Sequence, residues 1–291
     1  MPKPFEQGHA DVKDFFAWIN ERHRIYVKRF LLCRDAPWSD DPIFQNFKFT
    51  NVFRELDRGT FALREMCHDW GDDLGLLVFN ICWYRLFNLD THATDIGWVE
   101  SFDELAAKMN AKSARREKMF TSAHMTMGKA GEPKVATTLR SLSRIWDERQ
   151  IIAEACSSED ASLEFLFSWM RQYECIGPFI SYEIVSDFRW YPLLEDAPDI
   201  LSWANVGPGC KRGLERLGMH PDVRSIQHLY SIAPLHLAEW VIEHYVLGNA
   251  NPMWPPFEMR EIEHSLCEFD KYARVARDEG RCKSRFNGEG E

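Results

Sequence analysis

Ile176-Gly177-Pro178-Phe179-Ile180-Ser181 is the stretch whose reading decides the fold. Glycine interrupts a helix, and proline is well placed in the first turn of the next one. Residues 159–173 before it and 179–189 after it both carry apolar side chains at helical spacing, so the stretch reads as the hairpin between two helices. Gly177 and Pro178 would then present backbone to a neighbouring anion, because N–H groups at such a turn point toward negative charge.

The same periodicity extends outward over most of the chain. Residues 12–30 place Val12, Phe15, Phe16, Ile19, Tyr26, Val27 and Phe30 on one face of a long first helix. Residues 51–69, the very apolar 74–87, and 135–156, 229–247 and 259–277 read as further helices, and Ser101 to Glu104 as the capping box of a short one. Residues 121–134 read as a loop or small hairpin, and strand-like alternation is scarce. The expected class is all-α, in a single compact domain over 1–291. Within it an N-terminal lobe would cover 1–135, a lobe carrying the hairpin 136–278, and a flexible tail 279–291.

Composition narrows the function classes. The chain has 291 residues, 45% hydrophobic and 13% aromatic, enough for a sizeable core. No apolar run reaches the roughly 18 residues of a membrane span, and the first ten residues lack the apolar segment of a signal peptide. The eight cysteines are scattered without a C-x-x-C pair, which argues against a zinc ribbon and for a reducing cytoplasm. A net charge of −10 argues against a protein that coats DNA non-specifically. It leaves room for local basic patches at 108–118 and 211–216.

Several motifs carry candidate chemistry. The usual helix–hairpin–helix turn has two glycines flanking an apolar residue. Ile176, Gly177 and Ser181 fit that pattern, while Cys175 stands where the first glycine would be. Asp199 lies at about the distance beyond the second glycine where DNA glycosylases of this type carry their catalytic Asp. It is a candidate general base, with Asp196 as competitor and a helix N-cap as the plain structural reading. Phe179 occupies the position of the Schiff-base lysine of bifunctional glycosylases, which excludes lyase chemistry through that position. Gly207-Pro208-Gly209-Cys210-Lys211-Arg212-Gly213 reads as a helix start that cradles an anion, with Lys211 and Arg212 as its cations.

Asn51, Arg54, Asp57 and Arg58 are spaced to share one helix face, suited to phosphate or carboxylate. The block 263–272 mixes acids with Lys271 and Tyr272, and reads equally as an amphipathic helix. His236, Glu239 and His244 lack the H-E-x-x-H spacing, so no metal is expected. A P-loop is absent, which speaks against kinase chemistry by the usual cradle, and no cofactor is expected.

Five blocks together resemble one family: 49–58, 79–88, 176–179, 206–214 and 267–272. It is the DNA-thymine hypermodification group of bacteriophages and some cellular genomes, which includes the α-glutamyl/putrescinyl-thymine pyrophosphorylases and the helical domain attached to 5-hydroxymethyluracil DNA kinases. The resemblance covers about residues 12–278, in the same order. It implies a helix–hairpin–helix, DNA-glycosylase-like helical bundle and a transferase acting on DNA that contains modified thymine. An amine, either an amino acid or a polyamine, would displace pyrophosphate or phosphate from activated 5-hydroxymethyluracil. A separate 5-hydroxymethyluracil DNA kinase is the expected partner.

On that reading Lys211, Arg212, Gly207 and Gly209 hold the leaving group, Asp199 takes the proton, and Trp203, Trp190 or Tyr182 stacks on the base. Asn51, Arg54, Asp57, Arg58, Gly177, Pro178 and Lys271 complete the substrate-binding set. Two alternatives stay open: a base-excising glycosylase, and a non-catalytic DNA-binding helical module working with a separate kinase.

Overall fold

The computed structural model describes residues 9–121, 131–237, 255–279 and 285–286. Among them the regular structure is helical, apart from one antiparallel bridge between Phe47 and Arg285. The helices, in chain order, are α1 (Val12–Tyr26), α2 (Pro42–Asn46), α3 (Arg58–Met66), α4 (Leu74–Phe87), α5 (Thr91–Asp95), α6 (Phe102–Ala114), α7 (Lys134–Cys156), α8 (Leu163–Met170), α9 (Pro178–Phe188), α10 (Pro208–Arg216), α11 (Val223–His236) and α12 (Met259–Ala276). Contacts gather the chain into two compact units. One holds Met1–Asp57 and Leu201–Glu291, the other Arg58–Ile200.

The unit of Arg58–Ile200 is built around α4. Its sequence is apolar on all sides, so the helix is stable only when enclosed, and twelve of its fourteen residues are buried. Asp73 starts it by accepting from Leu76 N–H (2.9 Å), and Asn88, in the left-handed conformation (φ 47°), ends it. Helices α7 and α9 pack on α4. Two buried polar groups on α4 are matched to partners. Asn80 donates to the Val99 carbonyl (2.9 Å) and accepts from Trp83 Nε1 (2.9 Å) and Val99 N–H (3.0 Å). Arg85 clasps Asp187 of α9 in a two-pronged pair and donates to Thr60 and Asn88, both at 3.0 Å. Burial works against the Arg85 charge, but the Asp187 carboxylate holds its pKa above the ordinary arginine value.

In the other unit, α12 packs along α10 and also touches α1, α2 and α11. Gly209 and Gly213 lie one turn apart on α10 and face α12. A Cβ added to Gly209 would lie 2.2 Å from Cys267 Sγ, and one added to Gly213 would lie 2.3 Å from the Leu266 carbonyl oxygen. Only glycine allows the two backbones to come this close. Asp270 on α12 is fully buried and lies between three arginines: Arg212 Nε at 2.8 Å, Arg216 Nε at 2.7 Å and Arg274 Nε at 3.2 Å. Burial pushes its carboxyl upward, but the bonds from Arg212 and Arg216 outweigh that and hold it below the usual range.

The expected helices at 74–87, 135–156, 179–189 and 259–277 are present within a residue or two. The first expected helix divides: α1 reaches Tyr26 and a π turn covers Val27–Leu31. The expected helix over 51–69 breaks. Arg54–Leu56 forms a single 3₁₀ turn, Asp57 is extended (ψ 135°), and α3 begins only at Arg58. The cause is local. Asn51 donates its amide to the Leu56 carbonyl (2.7 Å), and Asp57 accepts from Asn51 N–H (2.8 Å), which closes 51–57 into a turn that competes with the helix. Of the expected 229–247 helix, α11 reaches His236. Glu239 and His244 lie outside the described residues, as does most of the 121–134 loop.

The close approach of α10 to α12 makes a direct prediction. Gly213→Ala should lower stability by about 1–3 kcal/mol, because its Cβ meets backbone that cannot move aside. Gly59→Ala, in α3 with only ordinary contact to Tyr84, should be neutral or gain up to about 1 kcal/mol from helix propensity. Urea denaturation of both variants checks the pair, and equal effects would contradict the packing role.

Candidate functional site

The expected site residues fall into separate settings. Asp199 belongs to Arg58–Ile200, where its two carboxylate oxygens accept from Leu163 N–H (2.8 Å) and Glu164 N–H (3.0 Å). It therefore caps α8, a helix 36 residues earlier in the chain, rather than one beginning at Asp199. Gly177 and Pro178 start α9 in the same unit, and Cys175 adopts φ 67°, the left-handed conformation that a glycine would favour at that place in the turn. Arg58 pairs with Asp90, also in that unit.

The remaining expected residues lie in Met1–Asp57 and Leu201–Glu291. Gly207 precedes α10, and Gly209 is occupied by the contact with α12. Arg212 is committed to Asp270, while Lys211 projects from α10, 55% exposed and 3.8 Å from Glu215. Trp203 is buried. Asn51, Arg54, Asp57 and Lys271 surround one turn of chain, not one helix face. Arg22 donates to the carbonyls of Phe49 (2.9 Å) and Thr50 (2.9 Å) and to the Asn51 side chain (2.7 Å). From α12, Glu268 accepts from Thr50 N–H (3.2 Å), and His264 Nε2 lies 2.7 Å from the Asn51 carbonyl, to which it donates. Lys271 donates to the Lys48 carbonyl and sits 4.9 Å above the Phe49 ring. Asp57 is pushed up to about 6 by burial, against the opposing pull of Arg54 (3.9 Å), the Asn51 N–H and Arg22.

The bonds from Arg22 and Lys271 hold residues 48–51, and Lys48 and Phe49 form part of the wall of a cavity of about 370 Å³ that no sequence motif marked as a whole. The cavity is lined from α1, the π turn, the loop after it, α2, the 47–49 segment and Phe286. Among its described lining residues seven are aromatic (Tyr26, Phe30, Trp38, Phe44, Phe47, Phe49 and Phe286), three are cations (Arg22, Arg29 and Lys48), and none is a carboxylate.

The Arg29 guanidinium lies 4.7 Å from the Phe30 ring, 5.0 Å from Trp38 and 5.4 Å from Phe286. Among the described residues no carboxylate is within ion-pair reach of it. The π turn inserts an extra residue after α1, which re-aims the Arg29 and Phe30 side chains; such insertions often occur at functional sites. Trp38 is anchored through Nε1 to the Arg34 carbonyl (2.6 Å), and its own carbonyl accepts from Lys28 Nζ (2.7 Å). Tyr272 backs the wall, donating to Asp41 (2.5 Å) with its ring 5.3 Å from Phe44. The signal in sequence was the interleaving of aromatic and basic residues over 22–49, spread too loosely to form a motif.

Known proteins decide the family. A family model described as "5-hmdU DNA kinase, helical domain" matches residues 10–281. The chain belongs to that family. A 5-hmdU DNA kinase of Bacillus phage SP10 is 26% identical to this helical domain over 297 residues, a match covering 92% of this chain and 45% of the relative. The chain therefore spans less than half the length of that curated relative. No solved structure matches it. Among the described residues, no helix is long and apolar enough to cross a membrane, and no group of His, Cys, Asp and Glu side chains is arranged to hold a metal ion.

The Asp57 environment predicts a pH dependence. A carboxyl whose folded pKa is raised stabilises the fold below its unfolded value, near 4, and loses that contribution as pH rises through about 6. Replacing Asp57 by Asn removes the titration. The stability of Asp57→Asn relative to the parent should therefore increase between pH 4 and pH 7, by on the order of 3 kcal/mol at most. Denaturant unfolding of both proteins across that range tests it, and a pH-independent difference would contradict the raised pKa.

Proposed function

We propose that this helical domain takes part in thymine hypermodification of DNA, using 5-hydroxymethyluracil activated as a phosphate or pyrophosphate ester by a separate kinase. The reaction is displacement by an amine, an amino acid or a polyamine. The amine nitrogen forms a bond to the C5 methylene carbon, and the carbon–oxygen bond to the (pyro)phosphate breaks. The leaving group departs with that electron pair, and the ammonium proton passes to a base. The observation that carries the reading is the match to the kinase helical-domain family along nearly the whole chain. Lys211 supports it chemically, as an outward-facing cation on α10 that can meet a leaving phosphate. The helix–hairpin–helix, glycosylase-like scaffold belongs to the same proposal, and the left-handed Cys175 beside Gly177 supports it.

A second reading is favoured by one observation. Both oxygens of Asp199, the expected base, are engaged in capping α8. A non-catalytic module that binds DNA and presents the base to a kinase needs no base at that position.

One assay separates these readings. The protein is incubated with DNA containing phosphorylated 5-hydroxymethyluracil and candidate amines, and the nucleosides are analysed by mass spectrometry. Displacement predicts an amine-substituted nucleoside, presentation predicts DNA binding with no new mass, and release of free base would indicate a glycosylase. If Asp199 is the base, Asp199→Asn should slow the transfer at least about 100-fold while the protein stays folded. Full activity in that variant removes Asp199 from the chemistry.

A further inference from the structure

The aromatic cavity framed by α1, the π turn, α2 and Phe286 has a composition that none of the capping and packing roles described above requires. We infer that it is the seat of a single pyrimidine nucleotide turned out of DNA, with the base held by the aromatic walls and its phosphate met by Arg29. The inference rests on the reading that the chain handles modified thymine in DNA, and it names where that thymine is bound.

Three features converge on this occupant. The first is size: about 370 Å³ is at the small end of the roughly 300–1,000 Å³ range of ligand pockets, which suits one nucleotide better than a base pair or a large cofactor. The second is the walls. Trp38, Phe30 and Phe286 are among the aromatic rings of the lining, and such rings hold bases by stacking. The third is charge. Arg22, Arg29 and Lys48 are among the described lining residues, none of which is a carboxylate, and the rings rather than an acid hold Arg29 in place. A polyamine finds no carboxylate among the described lining residues to pair with, and an aliphatic side chain would leave Arg29 desolvated without an anion. An extruded nucleotide satisfies both rings and cation, and Gln45 in the lining, whose Nε2 donates to the Ser39 carbonyl (2.7 Å), has a carboxamide oxygen able to accept at a base edge.

The cavity also explains why α12 carries Lys271 and Tyr272 against its back wall. They hold the Lys48–Phe49 backbone and the start of α2 in place. These two are positioning residues and do not touch the ligand.

The test uses the full chain and two fluorescent single-stranded oligonucleotides. One carries a single phosphorylated 5-hydroxymethyluracil, the other an abasic site at the same position. Fluorescence anisotropy should show the unaltered protein binding the first at least about 10-fold more tightly, the range expected for losing one stacked base. Arg29→Ala and Trp38→Ala should each abolish most of that preference, and Arg29→Lys should keep part of it by retaining charge. Arg171→Ala, in the other unit, should change nothing. Circular dichroism confirms folding, and Trp38→Leu replaces Trp38→Ala if the latter unfolds.

Absence of the preference in the unaltered protein, or its persistence in folded Arg29→Ala and Trp38 variants, overturns the inference. Mass spectrometry of the same incubations with an amine keeps the two proposals apart. Amine adduct formed with the preference unaffected by the variants sinks the cavity assignment and leaves the reaction standing. A preference lost in the variants, with no adduct from the unaltered protein, does the reverse.

Discussion

The buried carboxylate of Asp270 is the constraint on which the unit of Met1–Asp57 and Leu201–Glu291 depends. Burying a charge is costly unless hydrogen-bonded countercharges replace the lost water, and Arg212, Arg216 and Arg274 do so from two helices. The clasp holds α10 against α12 at a separation that only Gly209 and Gly213 permit. With α12 fixed, its other face meets the chain near residues 41–51: Glu268 takes Thr50, His264 takes Asn51, Lys271 takes Lys48 and Tyr272 takes Asp41. That segment forms one wall of the aromatic cavity. Charge satisfaction at one point thus shapes a cavity wall several residues away.

The unit of Arg58–Ile200 follows the same logic around a different centre. There a helix too apolar to face water, α4, carries one arginine and one asparagine, and each is met by partners from neighbouring elements. The polar residues select one packing of an otherwise greasy helix, since any slip would leave Arg85 or Asn80 buried without partners.

Much of the helical layout was legible because its signals are local. Asp72 and Asp73 before a very apolar run mark α4 from sequence alone. The break at 51–57 was not legible, because it depends on Asn51 and Asp57 bonding to each other's surroundings in preference to continuing a helix. Gly209 and Gly213 show a deeper ambiguity. A glycine needed for backbone N–H presentation and one needed for close helix packing look identical in sequence, although their spacing of four residues was a hint of the second use. Asp199 was legible as a cap but not as the cap of a helix 36 residues earlier. The cavity escaped because its walls come from 22–49 and from Phe286, which only the folded chain brings together.

Family membership places the chain beside 5-hmdU DNA kinases, and the structure adds a cationic aromatic cavity in one unit. Hydrogen–deuterium exchange of the full chain, with and without a single-stranded oligonucleotide bearing one phosphorylated 5-hydroxymethyluracil, tests their connection most directly. The account predicts that protection on binding is strongest within residues 22–49. Protection confined to residues 58–200, with 22–49 unchanged, would contradict it.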